Sequence, residues 1–223
     1  MSVPPSKGSP SLLLLPTAVE AHRFVDMGGI EPGRALSQLC GFGPVAAAAR
    51  TAQLLASLRP ARVCLAGIAG TYDPERAPAG SAIVFTRVAL EGVGVGEGES
   101  FQGPPALGFP QWPGTKSTPA IQEVLPVACP PGTEAALLLT TCAASASPEH
   151  ACQRLARFPT ALAEDMEGFG VALACALYDT PLAIVRGISN LVGARDPGSW
   201  KIPAALAAAR RAVLEVLDCD WGR

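Results

Sequence analysis

The sequence predicts an α/β fold, a central mixed and largely parallel β-sheet flanked by helices, on three observations. Short runs such as residues 12–15 and 181–189 are apolar almost throughout, as expected of strands covered on both faces. Ala-rich segments with helical spacing lie between such runs, so strand and helix alternate along the chain. The 181–189 run ends in Ser189 and Asn190, and the crevice that binds ligands in open α/β sheets lies outside the carboxyl ends of strands.

Taken in order, residues 1–10 (MSVPPSKGSP) read as a tail and residues 11–223 as one domain. Residues 12–15 form the first buried strand. Residues 17–24 turn into a helix at its carboxyl end and bring Glu20 and His22 beside the crevice. A short strand at 37–41 passes through Gly41-Phe42-Gly43-Pro44 into a helix over 45–58, with Pro44 where a missing N–H costs nothing. The strand at 62–68 ends in Gly67-Ile68-Ala69-Gly70, small residues that let a ligand approach backbone amides closely. A strand follows at 81–90. Residues 91–119 are rich in Gly and Pro, carry Phe101, Phe109 and Trp112, and have no periodicity, a pattern more often functional or flexible than inert. A strand at 134–141 and helices over 148–157, 167–177 and 203–217 complete the reading. The 167–177 helix has Val171, Ala174, Cys175 and Tyr178 at helical spacing and is expected to be buried on most sides.

A hydrophobic content of 49% with 16% charged residues implies a well-filled interior. The net charge of −2 and scattered arginines offer no basic stripe, so no nucleic-acid polymer is expected as a partner. Seven cysteines, mostly inside apolar runs and without a CxxC pair, read as buried reduced thiols. With 12–15 too short for a signal-peptide core and no membrane-spanning stretch, the expectation is a soluble cytoplasmic protein with no membrane partner. Two histidines and dispersed cysteines imply no metal and no organic cofactor.

Chemistry concentrates at residues 160–202. Glu164, Asp165 and Glu167 surround Met166 at the head of the 167–177 helix. Acids in a first turn complement the helix macrodipole, and capping alone would account for Asp165 about as well as a functional role does. The wider pattern is more specific. Asp165-Met166-Glu167-Gly168, followed by Arg186-Gly187-Ile188-Ser189-Asn190 and then Trp200, resembles the nucleoside phosphorylase and hydrolase superfamily. Within it the pattern is most similar to the futalosine hydrolases, nucleosidases of a menaquinone pathway. The resemblance is strongest over 160–202 and weaker along the rest of the chain. It implies a single-domain three-layer sandwich, a purine nucleoside as small-molecule substrate, and a homodimer or higher homo-oligomer.

Breaking an N-ribosidic bond to a purine places positive charge on the ribosyl carbon and negative charge on the departing base. Asn190 is the candidate donor to the base, because an amide can donate to both the N7 and 6-oxo acceptors of hypoxanthine, which an ionised Asp cannot. Related nucleosidases acting on methylthioadenosine have Asp there. By resemblance, Glu167 accepts from the sugar hydroxyls and Met166 packs against the sugar. Ser189 and Arg186 brace the Asn190 loop, and Trp200 covers the substrate's aromatic extension. Ala69 and Gly70 offer backbone to the ligand. The water-activating base is Glu20 or His22: aligned on Ala18, the family's Glu falls at His22, two residues beyond Glu20. The family's base-stacking Phe motif is absent from Thr140-Thr141-Cys142-Ala143-Ala144, leaving Phe169, Phe158 or an aromatic of 91–119 for that role. A phosphorylase would need a Gly-Asp-Pro-x-Arg turn after the first strand, whereas Pro16-Thr17-Ala18-Val19 stands here, so water is the expected nucleophile. A methylthioadenosine, S-adenosylhomocysteine or aminodeoxyfutalosine nucleosidase, a phosphorylase drawing on Arg23 and Arg34, and a non-catalytic purine-binding module are the alternatives.

Overall fold

Consecutive leucines can all be buried only in a strand covered on both faces, and β1 (Ser11–Leu15) is such a strand. Leu13 and Leu15 pack with Phe24 of α1 (Ala18–Asp26) and with Leu206 and Val213 of α6 (Ile202–Asp218). Leu12 and Leu14 enter the opposite core, with Ala47 and Leu54 of α2 (Pro44–Leu58) and Phe169 and Val171 of α5 (Gly168–Leu177). The division repeats on β3 (Arg62–Thr71), where Cys64 and Ala66 face one core and Val63 and Leu65 the other. On β9 (Leu182–Leu191) it separates Ala183 and Val185 from Leu182 and Ile184. The computed structural model describes residues 10–31, 33–116 and 118–221, and in it helices cover both faces of the sheet. Of the predicted tail at 1–10, all but Pro10 lies outside the described residues.

The other strands are β2 (Ala35–Leu39), β4 (Ala82–Phe85), β5 (Arg87–Leu90), β6 (Val124–Pro126), β7 (Leu137–Thr140) and β8 (Ala161–Asp165); α3 (Pro104–Leu107) and α4 (Pro148–Arg157) are the other helices. Strand order is β2-β1-β3-β8-β7-β5-β6, with β9 between β3 and β4. The sheet is mixed and mostly parallel: β3–β8, β4–β9 and β5–β6 are antiparallel pairs and the rest are parallel.

β3 positions the site. It pairs with β9 along nearly its whole length, so β1 and β8 must share its other side. β1 accompanies it as far as Leu65, and β8 joins only at Gly70. Between these points that side of β3 is left to side chains. The gap lies at the carboxyl end of β1, beside the start of α1.

Some predicted elements need correction. The single strand expected at 81–90 is two, because the chain changes partners at Thr86 from β9 to β7. Thr86 stabilises the change by donating its backbone N–H and its hydroxyl to Ala136 O while its Oγ1 accepts from Ala136 N. The strand expected at 37–41 lies two residues earlier, and β3 runs three residues beyond the expected 68. Residues 161–165, read as the acidic approach to a helix, form the buried strand β8. Cys142, Cys152 and Cys219 are exposed, contrary to the expectation of buried thiols, whereas Cys40, Cys64 and Cys175 are buried.

Candidate active site

Neighbouring residues on a strand point to opposite faces, so β8 sends Glu164 and Asp165 in opposite directions. Asp165 Oδ2 accepts from Arg186 Nε at 3.0 Å and Nη2 at 2.5 Å, and from Gly168 N at 2.8 Å. Its Oδ1 accepts from the Thr140 hydroxyl at 2.7 Å, and Thr140 Oγ1 in turn accepts from Phe169 N at 2.8 Å. Asp165 thus serves both as a cap for α5 and as the counter-ion of a fully buried arginine.

Glu167 occupies the N-cap position of α5, yet its side chain makes no cap hydrogen bond. Its Oε1 accepts from Gly43 N at 3.1 Å and its Oε2 from Arg186 Nη2 at 3.4 Å. Gly43, with φ 86° in the left-handed region, turns its amide toward this acid just before α2.

Glu20 comes from α1 to within electrostatic range of the same guanidinium without pairing with it. It enters the gap on β3, where Oε1 accepts from Ile68 N at 3.2 Å. Its Oε2 accepts from Thr17 N at 3.1 Å and the Thr17 hydroxyl at 2.6 Å, closing a capping box at the start of α1. Gly67 makes room for the approach. A Cβ there would lie 2.2 Å from Arg186 Nη1 and 2.9 Å from Glu20 Oε1. Arg186 Nη1 is buried and has no hydrogen-bond partner.

Three buried carboxylates therefore surround one guanidinium. Burial disfavours the charge on Arg186, but Asp165, Glu167 and Glu20 outweigh it and hold the pKa above its ordinary value. The excess negative charge falls on Glu167. Its carboxyl is pushed up to about 7, first by burial and then by Asp165 and Glu20, against the pull of Arg186 and the Gly43 amide. Cys40, close enough to feel the same charges, is pushed up to about 12, chiefly by burial.

At the end of β9 the strand bulges against β3 between Ile188 and Asn190. The Ser189 hydroxyl lies 2.7 Å from Asn190 Oδ1 and 3.1 Å from Ala69 O, and Asn190 Nδ2 donates to Leu191 O at 2.8 Å. A carbonyl only accepts, so Leu191 O fixes which end of the amide carries the N–H groups. Gly70 flanks the amide; a Cβ there would lie 3.4 Å from Asn190 Nδ2. Ser189 and the Leu191 carbonyl thus hold Asn190. Arg186, expected to do so as well, is turned to Asp165 and Glu167.

The structure brings Glu20, Glu167 and Arg186 together, with Met166 half-buried beside them. It does not bring His22, whose side chain is exposed. The Phe169 ring packs in the α2–α5 core and Phe158 in a smaller core with Leu137 and Leu139. Trp200 donates its indole N–H to Ala194 O and lies under the Arg195 guanidinium, closing the loop after β9. Thr17, Gly43 and Thr140 were given no role at the site from the sequence, and Gly67, read as offering backbone to a ligand, instead makes room for Glu20 and Arg186. Thr17-Ala18-Val19-Glu20 carries a legible signal, the capping-box spacing. Among the described residues no three His, Cys, Asp or Glu side chains are placed to hold a metal ion, and no helix is long and apolar enough to cross a membrane.

Comparison with known proteins identifies the family. The family model described as the phosphorylase superfamily matches residues 15–218. A futalosine hydrolase of Thermus thermophilus is 31% identical over 227 residues, covering 95% of this chain and 96% of its own. One from Streptomyces coelicolor is 37% identical over 179 residues, covering 78% and 74%. Among solved structures, a 5′-methylthioadenosine/S-adenosylhomocysteine nucleosidase from Colwellia psychrerythraea in complex with adenine superposes with a TM-score of 0.75 at 20% identity, covering 96% of each chain. By a family match spanning nearly the whole chain and relatives alike from end to end, the protein belongs to the phosphorylase superfamily.

Proposed function

We propose that the protein is a nucleosidase that hydrolyses the N-glycosidic bond of futalosine, releasing hypoxanthine and dehypoxanthine futalosine in menaquinone biosynthesis. The observation that carries this reading is the charge imbalance of the buried cluster, three carboxylates to one guanidinium. A site holding excess negative charge in a low dielectric favours a ribosyl group that becomes cationic as its bond to the base breaks. Asn190, at the carboxyl end of the strand that carries Arg186, serves the other end of that bond.

The geometry supports the following roles. Glu167 takes hydrogen bonds from the ribosyl hydroxyls and opposes the developing cation. Water occupies the space between Glu20 and the unpartnered Arg186 Nη1, which holds its oxygen while Glu20 accepts its proton. The oxygen bonds to the ribosyl carbon, the C–N pair leaves with the purine, and the purine anion takes a proton from solvent, to which Glu20 returns the one it accepted. Burial against the Ile68 amide favours Glu20 over the exposed His22 as the proton acceptor. One Asn190 N–H is held by Leu191 O, so one N–H, and not the two expected from the sequence, is left to donate to the N7 or 6-oxo acceptor of a 6-oxopurine. Met166, Ser189, Ala69, Gly70 and Trp200 are assigned to shaping the site around sugar, base and extension, whereas the ring of Phe169, packed in the α2–α5 core, is not. The enzyme acts in the cytoplasm as a homo-oligomer. Phe42 and Val45, 65% and 80% exposed beside Gly43, give it apolar surface to cover.

Incubation with futalosine, aminodeoxyfutalosine, methylthioadenosine and inosine, with and without phosphate, tests the reading by chromatography of the released base. Hypoxanthine from futalosine without phosphate is the expected result. Faster release of adenine, or a requirement for phosphate, contradicts it.

A further inference from the structure

We infer that Thr17 is a positioning residue, whose hydroxyl aims the Glu20 carboxylate at the space beside Arg186. The inference rests on the role proposed for Glu20.

The capping box does the steering. Thr17, extended at φ −128°, ψ 157°, is the N-cap of α1, and Glu20 stands at the third position of the first turn. Thr17 Oγ1 accepts from Glu20 N at 3.3 Å and donates to Glu20 Oε2 at 2.6 Å, while Thr17 N donates to the same oxygen at 3.1 Å. With Oε2 doubly held, rotation about the last side-chain bond is fixed, and Oε1 is presented to Ile68 N and to the gap above Gly67. In an ordinary capping box the acid stabilises only the helix. Here the same carboxylate is 8% exposed and faces a guanidinium nitrogen without a partner, so helix geometry and acid orientation are set by one hydroxyl.

The hydroxyl has two separable duties, to accept from the helix and to donate to the acid, and substitutions divide them. Thr17→Ser keeps both. Thr17→Asp keeps a good cap but has no O–H to give and sets a second anion against Glu20. Thr17→Val loses both. Steady-state hydrolysis of futalosine and thermal unfolding are measured on the full-length chain. Positioning predicts that Ser stays within about threefold of the parent in kcat, and that Asp loses about tenfold or more in kcat with KM within about threefold and the melting temperature retained. Val is expected to lose both activity and several degrees of melting temperature. An Asp variant with parental kcat would overturn the inference and leave Thr17 as a cap alone. A parent chain that releases no base from futalosine would instead overturn the proposed function.

Discussion

Glu164 and Asp165 are adjacent, equally buried and each paired with an arginine, yet the two faces of β8 hold opposite kinds of polar cluster. On one face Glu164 accepts from Ser145 N, the Ser145 hydroxyl, the Tyr72 hydroxyl and Arg154 Nη1, all within 3.1 Å. The buried acid there has its own guanidinium, which also donates to Ala143 O, lies 3.7 Å from the half-buried Glu91 and leaves its Nε without a partner. On the other face Asp165 shares Arg186 with Glu167 and, through space, with Glu20, and a guanidinium nitrogen is left over. A cluster whose buried acid has its own guanidinium ties α4 to the sheet. An unbalanced one stores negative charge in a low dielectric, which suits a substrate that turns cationic.

The sharpest way to break this comparison is to neutralise each acid in turn. Glu167→Gln is expected to lower turnover of futalosine about 100-fold or more with the fold retained. Glu164→Gln is expected to leave turnover per folded molecule within about threefold and to destabilise the protein by about 2–4 kcal/mol, read as a fall in melting temperature. Similar losses of turnover in both would erase the distinction. Gly67→Ala pushes a methyl group into Arg186 and Glu20, so a loss of about tenfold or more in turnover is expected, with destabilisation of about 1–3 kcal/mol.

The pH dependence sharpens the same point. With its carboxyl pushed up from 4.5 to about 7, Glu167 keeps a proton in the folded state that the unfolded chain releases between those values. Its contribution to stability therefore falls as pH rises from 4.5 to 7 and is flat above, by at most about 3 kcal/mol. Denaturant titrations of the parent and Glu167→Gln across this range should converge or diverge with that slope; parallel curves would remove the raised pKa from the account. Turnover, which needs Glu167 ionised, rises over the same interval. The smallest effect is expected on the Glu164 face, where Tyr72→Phe removes one bond to Glu164 at a cost of about 1–2 kcal/mol without altering turnover.

Strands that bury an apolar run on both faces, β1 and β9, were legible because hydrophobicity alone marks them. β8 was not, since its Ala-Leu-Ala-Glu-Asp sequence looks like an approach to a helix until each acid is given an arginine. The division at Thr86 was hidden because strand propensity says nothing about which neighbour a strand takes. At the site, Glu167 and Asn190 could be singled out from a motif, and Glu20 from its place after a strand. The part that Arg186 takes could not, since a bracing role and a counter-ion role need the same residue type. Only the fold shows that Gly43, Gly67 and Ile68 supply an amide, a space and a second amide to acids 124, 47 and 48 residues away in sequence.

Binding of a nucleoside analogue with a protonated nitrogen in the sugar ring and a 6-oxopurine base tests the stored negative charge most directly. The account predicts that the parent and Glu164→Gln bind it about 100-fold or more tightly than the neutral nucleoside, and that Glu167→Gln loses most of that preference. Equal affinity of the parent chain for the cationic and neutral compounds would contradict it.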